Sequence, residues 1–260
     1  MTMSLPTVHT EIDNRVLTIT IDRPEVRNAV DSPTAQALHE AFLLLDESDA
    51  VDVGILTGAH GTFCAGADLK SVAGGEGPRV HDDMSLPGPL GPTRMMTKKP
   101  LVAAVEGFAV AGGLELALLC DLRVAASNAV FGVYCRRWGV PLVDGGTIRL
   151  PRLIGHSHAM DLILTGRGVS GEEARQMGLA NRICEPGNAL NSARALADQL
   201  AAFPQGCLRS DRESAYAQWD LEFDDALEYE TRLGLQVIRS GETRDGATRF
   251  ANGEGRHGAF

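Results

Sequence analysis

A carboxylate lies inside an otherwise apolar stretch of this sequence, shortly after two adjacent glycines. The stretch runs from residue 100 to residue 121, and within it Glu115 follows Gly112 and Gly113. A carboxylate in apolar surroundings must be paired, must have a raised pKa, or must take part in chemistry. Glu115 is therefore a candidate acid or base.

The glycines in front of Glu115 predict a place where negative charge is stabilised. Residues 101–105 form an apolar, partly β-branched run typical of a buried strand, and residues 114–119 form an apolar helical run. Backbone N–H groups at the start of a helix lack intrahelical partners, and the helix dipole adds partial positive charge there. Because glycine lets a ligand approach the backbone closely, we expect this helix start to bind an anion, or an oxygen that becomes one.

A second loop of the same kind lies earlier in the chain. Residues 58–70 contain glycine-rich turn chemistry and then the sequence AGAD at 65–68, which leads into a predicted helix. This loop follows a short apolar strand predicted at 51–57. Two strand-end loops side by side would offer two convergent N–H donors to one ligand.

The composition argues against several classes of function. The formal net charge of -10 disfavours nucleic acid as the main partner, because phosphate contacts need a basic face. No run approaches the roughly 18 apolar residues of a membrane helix, and the N-terminus lacks a signal-peptide pattern. The five cysteines form no CxxC motif, and the seven histidines show no metal-ligand spacing. We therefore expect a cytoplasmic protein with reduced thiols, no metal and no membrane segment.

The elements that must position the two loops alternate between strand and helix up to about residue 188. A hairpin is predicted at 8–21, a helix capped by Ser32 runs to about residue 46, and strands follow at 51–57, 101–105 and 122–126. The glycines and prolines of residues 73–92 predict a mobile loop. Further predicted elements are helices at 145–153, 157–164 and 170–178, a strand at 179–184, and helices at 190–203, 205–240 and 242–252. This order of elements indicates the α/β class.

Several ordered motifs resemble the enoyl-CoA hydratase/isomerase (crotonase) superfamily along nearly the whole chain. They are RNAV at 27–30, FCAGADLK at 63–70, KPLVAAVEGFAVAGGLELALLCDLRVA at 99–125, GGTIRLPRLIG at 145–155 and LTGRGVSGEEARQMGLANRI at 164–183. The resemblance implies a spiral of ββα repeats over residues 1–188. It also implies a helical region over residues 189–260 that serves trimerisation and the acyl pocket. The implied assembly is a homotrimer or a dimer of trimers.

The resemblance also implies an acyl-CoA thioester as ligand, with CoA entering as part of the substrate and no other cofactor. The thioester oxygen would lie between the backbone N–H groups of Ala67 and Gly112. Each such donor is worth roughly 3–4 kcal/mol of transition-state stabilisation. The residues that fall where the family binds CoA are Arg27, Ala29, Ala65, Asp68 and Leu69, and those expected to line the acyl pocket are Tyr134, Cys135 and Trp138.

The sequence departs from the family pattern at one catalytic position. The family's hydratases use two glutamates; Glu115 matches the first, but the second falls at Cys135. Losing a well-placed acid or base typically costs about 10²–10⁴ in rate. Cys135 could substitute weakly if a neighbouring arginine lowered its pKa. Asp144 is the closer candidate for a second catalytic carboxylate, although an aspartate there would also suit the N-cap of the helix that follows.

The sequence thus favours a lyase of enoyl-CoA hydratase type, adding water to a 2-enoyl-CoA in fatty-acid metabolism. The missing second glutamate keeps other reactions on the same scaffold open, namely double-bond isomerisation, decarboxylation, thioester hydrolysis and C–C cleavage. A non-catalytic acyl-CoA binder is the alternative from another class, and the presence of Glu115 argues against it.

Overall fold

The computed structural model describes residues 7–255, which form two compact units. One unit ends at Asp198 and the other begins at Gln199. Strands lie in the first unit, whereas the second is helical. The predicted division into a core over 1–188 and a C-terminal region over 189–260, which serves trimerisation and the acyl pocket, stays a prediction.

A six-stranded sheet forms the centre of the first unit. Its strands lie in the order β1-β2-β3-β4-β6-β9, and β1 and β2 form the predicted antiparallel hairpin, while the remaining neighbours pair in parallel. All the residues of β4 are buried, as its continuous apolar run predicts. The strands are β1 Val8–Asp13, β2 Val16–Ile21, β3 Val53–Gly58, β4 Leu101–Val105, β5 Phe108–Val110, β6 Leu122–Ala126, β7 Val130–Gly132, β8 Gly168–Ser170 and β9 Arg182–Cys184.

A second sheet has three strands, in the order β5-β7-β8. Each of its strands has three residues. So short a strand carries too few residues for a period of two to be visible, and the sequence analysis missed β5 for that reason. β5 matters because it leads directly into the glycine pair.

The helices agree with the sequence except at three places. The helices predicted at 145–153 and 157–164 join into one helix across a non-helical Gly155 (φ 76°). The first helix is capped by Asp31, not Ser32, since the Asp31 carboxylate accepts the N–H of Thr34. The long helix predicted at 205–240 is broken at residues 218–222. Asp224 and Asp225 lie in the first turn of the helix that follows the break and favour its start. The helices are α1 Ser32–Glu47, α2 Leu69–Ala73, α3 Gly112–Leu119, α4 Gly146–Thr165, α5 Gly171–Gln176, α6 Ala189–Ala201, α7 Gln205–Ala217, α8 Phe223–Ser240 and α9 Glu242–Ala251.

The two glycine-containing loops are held together by backbone pairing. Cys64 pairs with Ala109 in a parallel bridge: its N–H donates to Phe108 O (2.9 Å), and its carbonyl accepts from Val110 N (3.1 Å). The start of α3 packs so closely against the segment that contains Cys64 that a Cβ on Gly113 would lie 2.0 Å from Cys64 O. The loop after β3 and the start of α3 therefore lie side by side.

We expect Gly113→Ala to destabilise the protein by about 3 kcal/mol. The added methyl group would meet the Cys64 carbonyl, whose backbone is held in place by the bridge to Ala109. Gly234→Ala is the matched control. Gly234 lies within α8 with open space around its Cβ position, so alanine there should raise the free energy of unfolding by about 0.5–1 kcal/mol. Urea unfolding of both variants measures this, and equal effects would contradict the packing described.

Candidate active site

A cavity of about 380 Å³ lies where the two loops meet. Its walls are mainly apolar, and two carboxylates reach it, those of Glu115 and Asp144. The predicted site residues that line it are Arg27, Ala65, Ala67, Leu69, Gly112, Glu115, Tyr134, Cys135, Trp138 and Asp144. Ala29 and Asp68, which were predicted to bind CoA, are not among its lining residues.

The N–H group of Ala67 points away from the segment with which Ala67 pairs. Val30 pairs with Ala67 in a parallel bridge, in which Val30 N donates to Gly66 O (2.8 Å) and Asp68 N donates to Val30 O (2.8 Å). In such a bridge the central residue directs its own N–H away from the partner strand. Within residues 7–255 the Ala67 N–H has no protein acceptor. The left-handed φ of 94° at Gly66 sets up this turn.

The N–H group of Gly112 is free for a different reason. Gly112 is the first residue of α3, where a backbone N–H has no intrahelical acceptor. It follows Ala111, whose φ of 54° and ψ of -125° are strained for a residue with a Cβ. The bond from Ala111 N to Gly132 O (2.9 Å) anchors that conformation. No acceptor for the Gly112 N–H occurs in the described part of the chain.

The two donors belong to loops in direct contact. A Cβ built on Gly66 would lie 2.8 Å from Gly112 N. Gly66, the residue before Ala67, therefore lies directly against the N–H group of Gly112. Both Ala67 and Gly112 line the same cavity. An oxyanion hole needs two N–H donors within reach of one oxygen, and that role for Ala67 and Gly112 remains a prediction.

Glu115 is buried, with 2% of its surface exposed, and one of its oxygens is fixed by the backbone. Its Oε1 accepts from Asp144 N (2.9 Å) and from Gly146 N (2.8 Å). The other oxygen, Oε2, accepts no hydrogen bond from the residues that the structure describes. Burial and then the nearby Asp144 carboxylate raise the pKa of Glu115 to about 7, outweighing the two N–H bonds. At that pKa a carboxyl group can both take up and release a proton near neutral pH.

Asp144 does not cap helix α4, so that alternative is wrong. The N-cap residue of α4 is Gly145, without a side-chain bond, and the Asp144 carboxylate points to another segment. Its Oδ1 accepts from Leu90 N (3.0 Å) and from the Thr93 hydroxyl. Burial raises the pKa of Asp144 despite these bonds. Asp144 thus stands as a second buried carboxyl group at the same cavity.

Cys135 does not meet the condition under which it could replace a glutamate. Burial, and then the Glu115 carboxylate, raise the pKa of its thiol instead of lowering it. The neighbouring arginines are engaged elsewhere: Arg136 Nε donates to Ile163 O (3.0 Å), and Arg137 Nη2 donates to Gly166 O (3.0 Å). Cys135 is therefore a neutral, apolar part of the cavity wall. Trp138, 71% exposed, lies at the edge of that wall.

Asp68 holds the first loop in shape. Its Oδ1 accepts the N–H of Lys70 (3.1 Å) at the start of α2, and its Oδ2 pairs with Arg23 (3.2 Å). Although burial opposes it, bonds from backbone N–H groups and then from Arg23 lower the pKa of Asp68. Its carboxylate is thus occupied by structural partners.

The loop at 74–91 forms part of the cavity wall, and the sequence did not single out Leu90 within it. Leu90 is buried and lines the cavity, and its Cδ1 lies 2.4 Å from the position of a Cβ on Gly112. The loop has no apolar periodicity, so the sequence carries no local signal for this contact.

Comparison with known proteins agrees with this fold. A family model described as Enoyl-CoA hydratase/isomerase matches residues 11–257. The chain is 35% identical over 257 residues to enoyl-CoA hydratase EchA19 of Mycobacterium tuberculosis, covering 95% of this chain and 94% of that protein. It is 36% identical over 242 residues to carnitinyl-CoA dehydratase of Salmonella arizonae, covering 91% and 92%. The crystal structure of enoyl-CoA hydratase EchA1 from Mycobacterium marinum matches with a TM-score of 0.90 and 39% identity, covering 95% and 96%.

The fold and the site define an α/β protein of the crotonase class. The chain belongs to the enoyl-CoA hydratase/isomerase family. The family and the fold class predicted from the motifs are thereby confirmed.

Two further observations bear on the surroundings of the site. Among residues 7–255, no helix combines the length and the apolar character needed to cross a bilayer. The same residues contain no group of three or more His, Cys, Asp or Glu side chains that could hold a metal ion.

The raised pKa of Glu115 predicts a pH dependence of stability. Between pH 4.5 and about 7 the folded state binds more protons than the unfolded state, so the free energy of unfolding falls as pH rises through this window. A shift of this size corresponds to about 3 kcal/mol. Urea unfolding from pH 4.5 to about 8 should show a steeper fall for the wild type than for Glu115→Gln. Parallel curves would mean that Glu115 titrates at its ordinary pKa.

Proposed function

We propose that the protein is an enoyl-CoA hydratase, adding water across the double bond of a 2-enoyl-CoA thioester. The observation that carries this proposal is the pair of unbonded N–H groups, on Ala67 and Gly112, that line one cavity with Glu115. The names of the relatives support the same substrate class. CoA is part of the substrate in this reaction, and the proposed chemistry uses no metal or further cofactor.

In the proposed reaction the two N–H groups bind the thioester oxygen and favour the enolate that forms on it. Glu115 Oε2 takes a proton from water, the resulting hydroxide bonds to the β carbon, and the double-bond electrons move towards the thioester oxygen. The enolate then collapses as the α carbon takes up a proton, either the one that Glu115 took from water or one held by Asp144, which the proton on Glu115 then replaces. A pKa of about 7 suits Glu115 to the first step.

Asp144 is the proposed second catalytic group. Its Oδ1 is fixed by Leu90 N and the Thr93 hydroxyl, while Oδ2 accepts no bond from the described residues. Because burial raises its pKa, the carboxyl group can hold a proton for the α carbon or orient the attacking water. Arg27, Ala65 and Leu69 line the entrance side proposed for CoA, with Tyr134, Cys135 and Trp138 lining the acyl side.

The assembly and compartment remain proposals from the family resemblance and the cysteines. We propose a homotrimer or a dimer of trimers that works in the cytoplasm. The free thiols of Cys64, Cys120, Cys135, Cys184 and Cys207 support a reducing compartment.

A second candidate function, double-bond isomerisation, is favoured by one observation. By the motif resemblance, Cys135 falls where a hydratase of this family carries its second glutamate, and burial raises the pKa of its thiol, which favours the protonated form. An isomerase needs one base that moves a proton between the α and γ carbons, and Glu115 alone could supply it. Mass spectrometry separates the reactions, because hydration adds the mass of water and isomerisation leaves the mass unchanged.

We expect the purified protein to hydrate crotonyl-CoA or a longer 2-enoyl-CoA, with kcat/KM rising with pH through about 7 as Glu115 ionises. Glu115→Gln should lower kcat by about 10²–10⁴. Glu40→Gln on the exposed face of α1 is the control and should leave kcat unchanged. Unchanged turnover in Glu115→Gln would remove Glu115 from the mechanism, and binding without any product would support a non-catalytic binder.

A further inference from the structure

Thr93 is a buried residue outside every motif of the sequence, and its hydroxyl bonds the carboxylate of Asp144, which lines the active-site cavity. Thr93 is 3% exposed, and its Oγ1 donates to Asp144 Oδ1, the oxygen that also accepts from Leu90 N. The hydroxyl is enclosed so tightly that a Cβ on Gly88 would lie 2.1 Å from it. Thr93 is therefore a buried hydroxyl bonded to a buried carboxylate, at the end of a segment of the cavity wall.

Arg149 links the same two residues by binding the main-chain carbonyl oxygens of both. Its Nη1 donates to Asp144 O (2.8 Å) and its Nη2 donates to Thr93 O (2.9 Å). The bond from Gly91 N to Gly88 O (2.9 Å) folds the intervening residues into a tight turn. We call the Thr93, Asp144 and Arg149 contact the clasp.

The clasp joins two parts of the site that are far apart in sequence. On one side, Asp144 N donates to Glu115 Oε1 and so helps to fix the candidate base (2.9 Å). On the other side, the clasp holds Leu90, whose Cδ1 occupies the space next to the backbone of Gly112. Leu90 thereby forms the apolar cover beside the second oxyanion donor, where the exclusion of water strengthens a hydrogen bond.

We propose that Thr93 is a positioning residue: its hydroxyl holds the segment 88–93 on Asp144 so that Leu90 keeps water away from the Gly112 N–H. The proposal rests on the proposed function of the Ala67 and Gly112 pair. Thr93 acts through Leu90 and Asp144, and it does not touch the thioester.

The test compares Thr93→Val, which keeps the shape and removes the hydroxyl, with Thr93→Ser, which keeps the hydroxyl. Thr57→Val is the matched control, because Thr57 is equally buried and its hydroxyl donates to Ala104 O (3.1 Å) within the central sheet, away from the cavity. The first readout is kcat and KM with crotonyl-CoA. The second is the infrared C=O stretch of bound butanoyl-CoA, a saturated thioester with no double bond to hydrate, whose band moves to lower wavenumber when its oxygen is polarised.

Thr93→Val should lower kcat roughly 10-fold with a smaller change in KM, since a displacement of 1 Å at a site can cost about 10²-fold. It should also reduce the carbonyl shift, and Thr93→Ser should restore both. Thr57→Val should change only the melting temperature. Asp144→Asn keeps the Oδ1 acceptor and should therefore keep the carbonyl shift while losing turnover.

The outcomes separate this inference from the function on which it rests. A carbonyl band that does not shift in the wild type would overturn the oxyanion pair, and the role of Thr93 with it. A shift that is the same in the wild type and Thr93→Val, with equal kcat, would overturn the role of Thr93 and leave the proposed function standing. Should Thr93→Val fail to fold, Leu90→Ala removes the cover itself, and an undiminished shift in that variant would equally refute the proposal.

Discussion

The proposed chemistry depends on two main-chain N–H groups at an apolar cavity, neither of which has an acceptor among residues 7–255. Keeping such donors without a partner has a cost wherever the cavity excludes water, because an unsatisfied polar group away from water typically costs about 1–3 kcal/mol. The Ala67 donor is exposed by the bridge between Val30 and the first loop, and the Gly112 donor by the start of α3. The strained backbone of Ala111 adds to this cost. These features together keep the donors ready for a ligand oxygen.

The carboxyl groups at this cavity are governed by their mutual proximity and by burial. Glu115 is held by two backbone N–H groups on Oε1, one of them from Asp144, so the position of one carboxyl group fixes the other. Burial raises the pKa of both, and the charge of Asp144 raises the pKa of Glu115 further. Two carboxyl groups with raised pKa values suit proton transfer near neutral pH.

Local sequence patterns predicted the parts of the site that are built from local structure. The apolar strand before Gly112 and the glycine turn before Ala67 each carry their own signal, and a carboxylate in an apolar helix made Glu115 conspicuous. The three-residue strand β5 escaped because it is too short to show a period. The contacts of Asp144 with Leu90 and Thr93 join residues more than 50 positions apart, and no local pattern encodes them. Asp144 could therefore be singled out, but its partners could not.

The most direct test of the central claim is a crystal structure of the protein with bound butanoyl-CoA. The account predicts that the thioester oxygen lies about 2.7–3.1 Å from both Ala67 N and Gly112 N. It also predicts that Glu115 Oε2 faces the β carbon. A thioester oxygen bonded elsewhere, with either nitrogen turned to solvent, would contradict it.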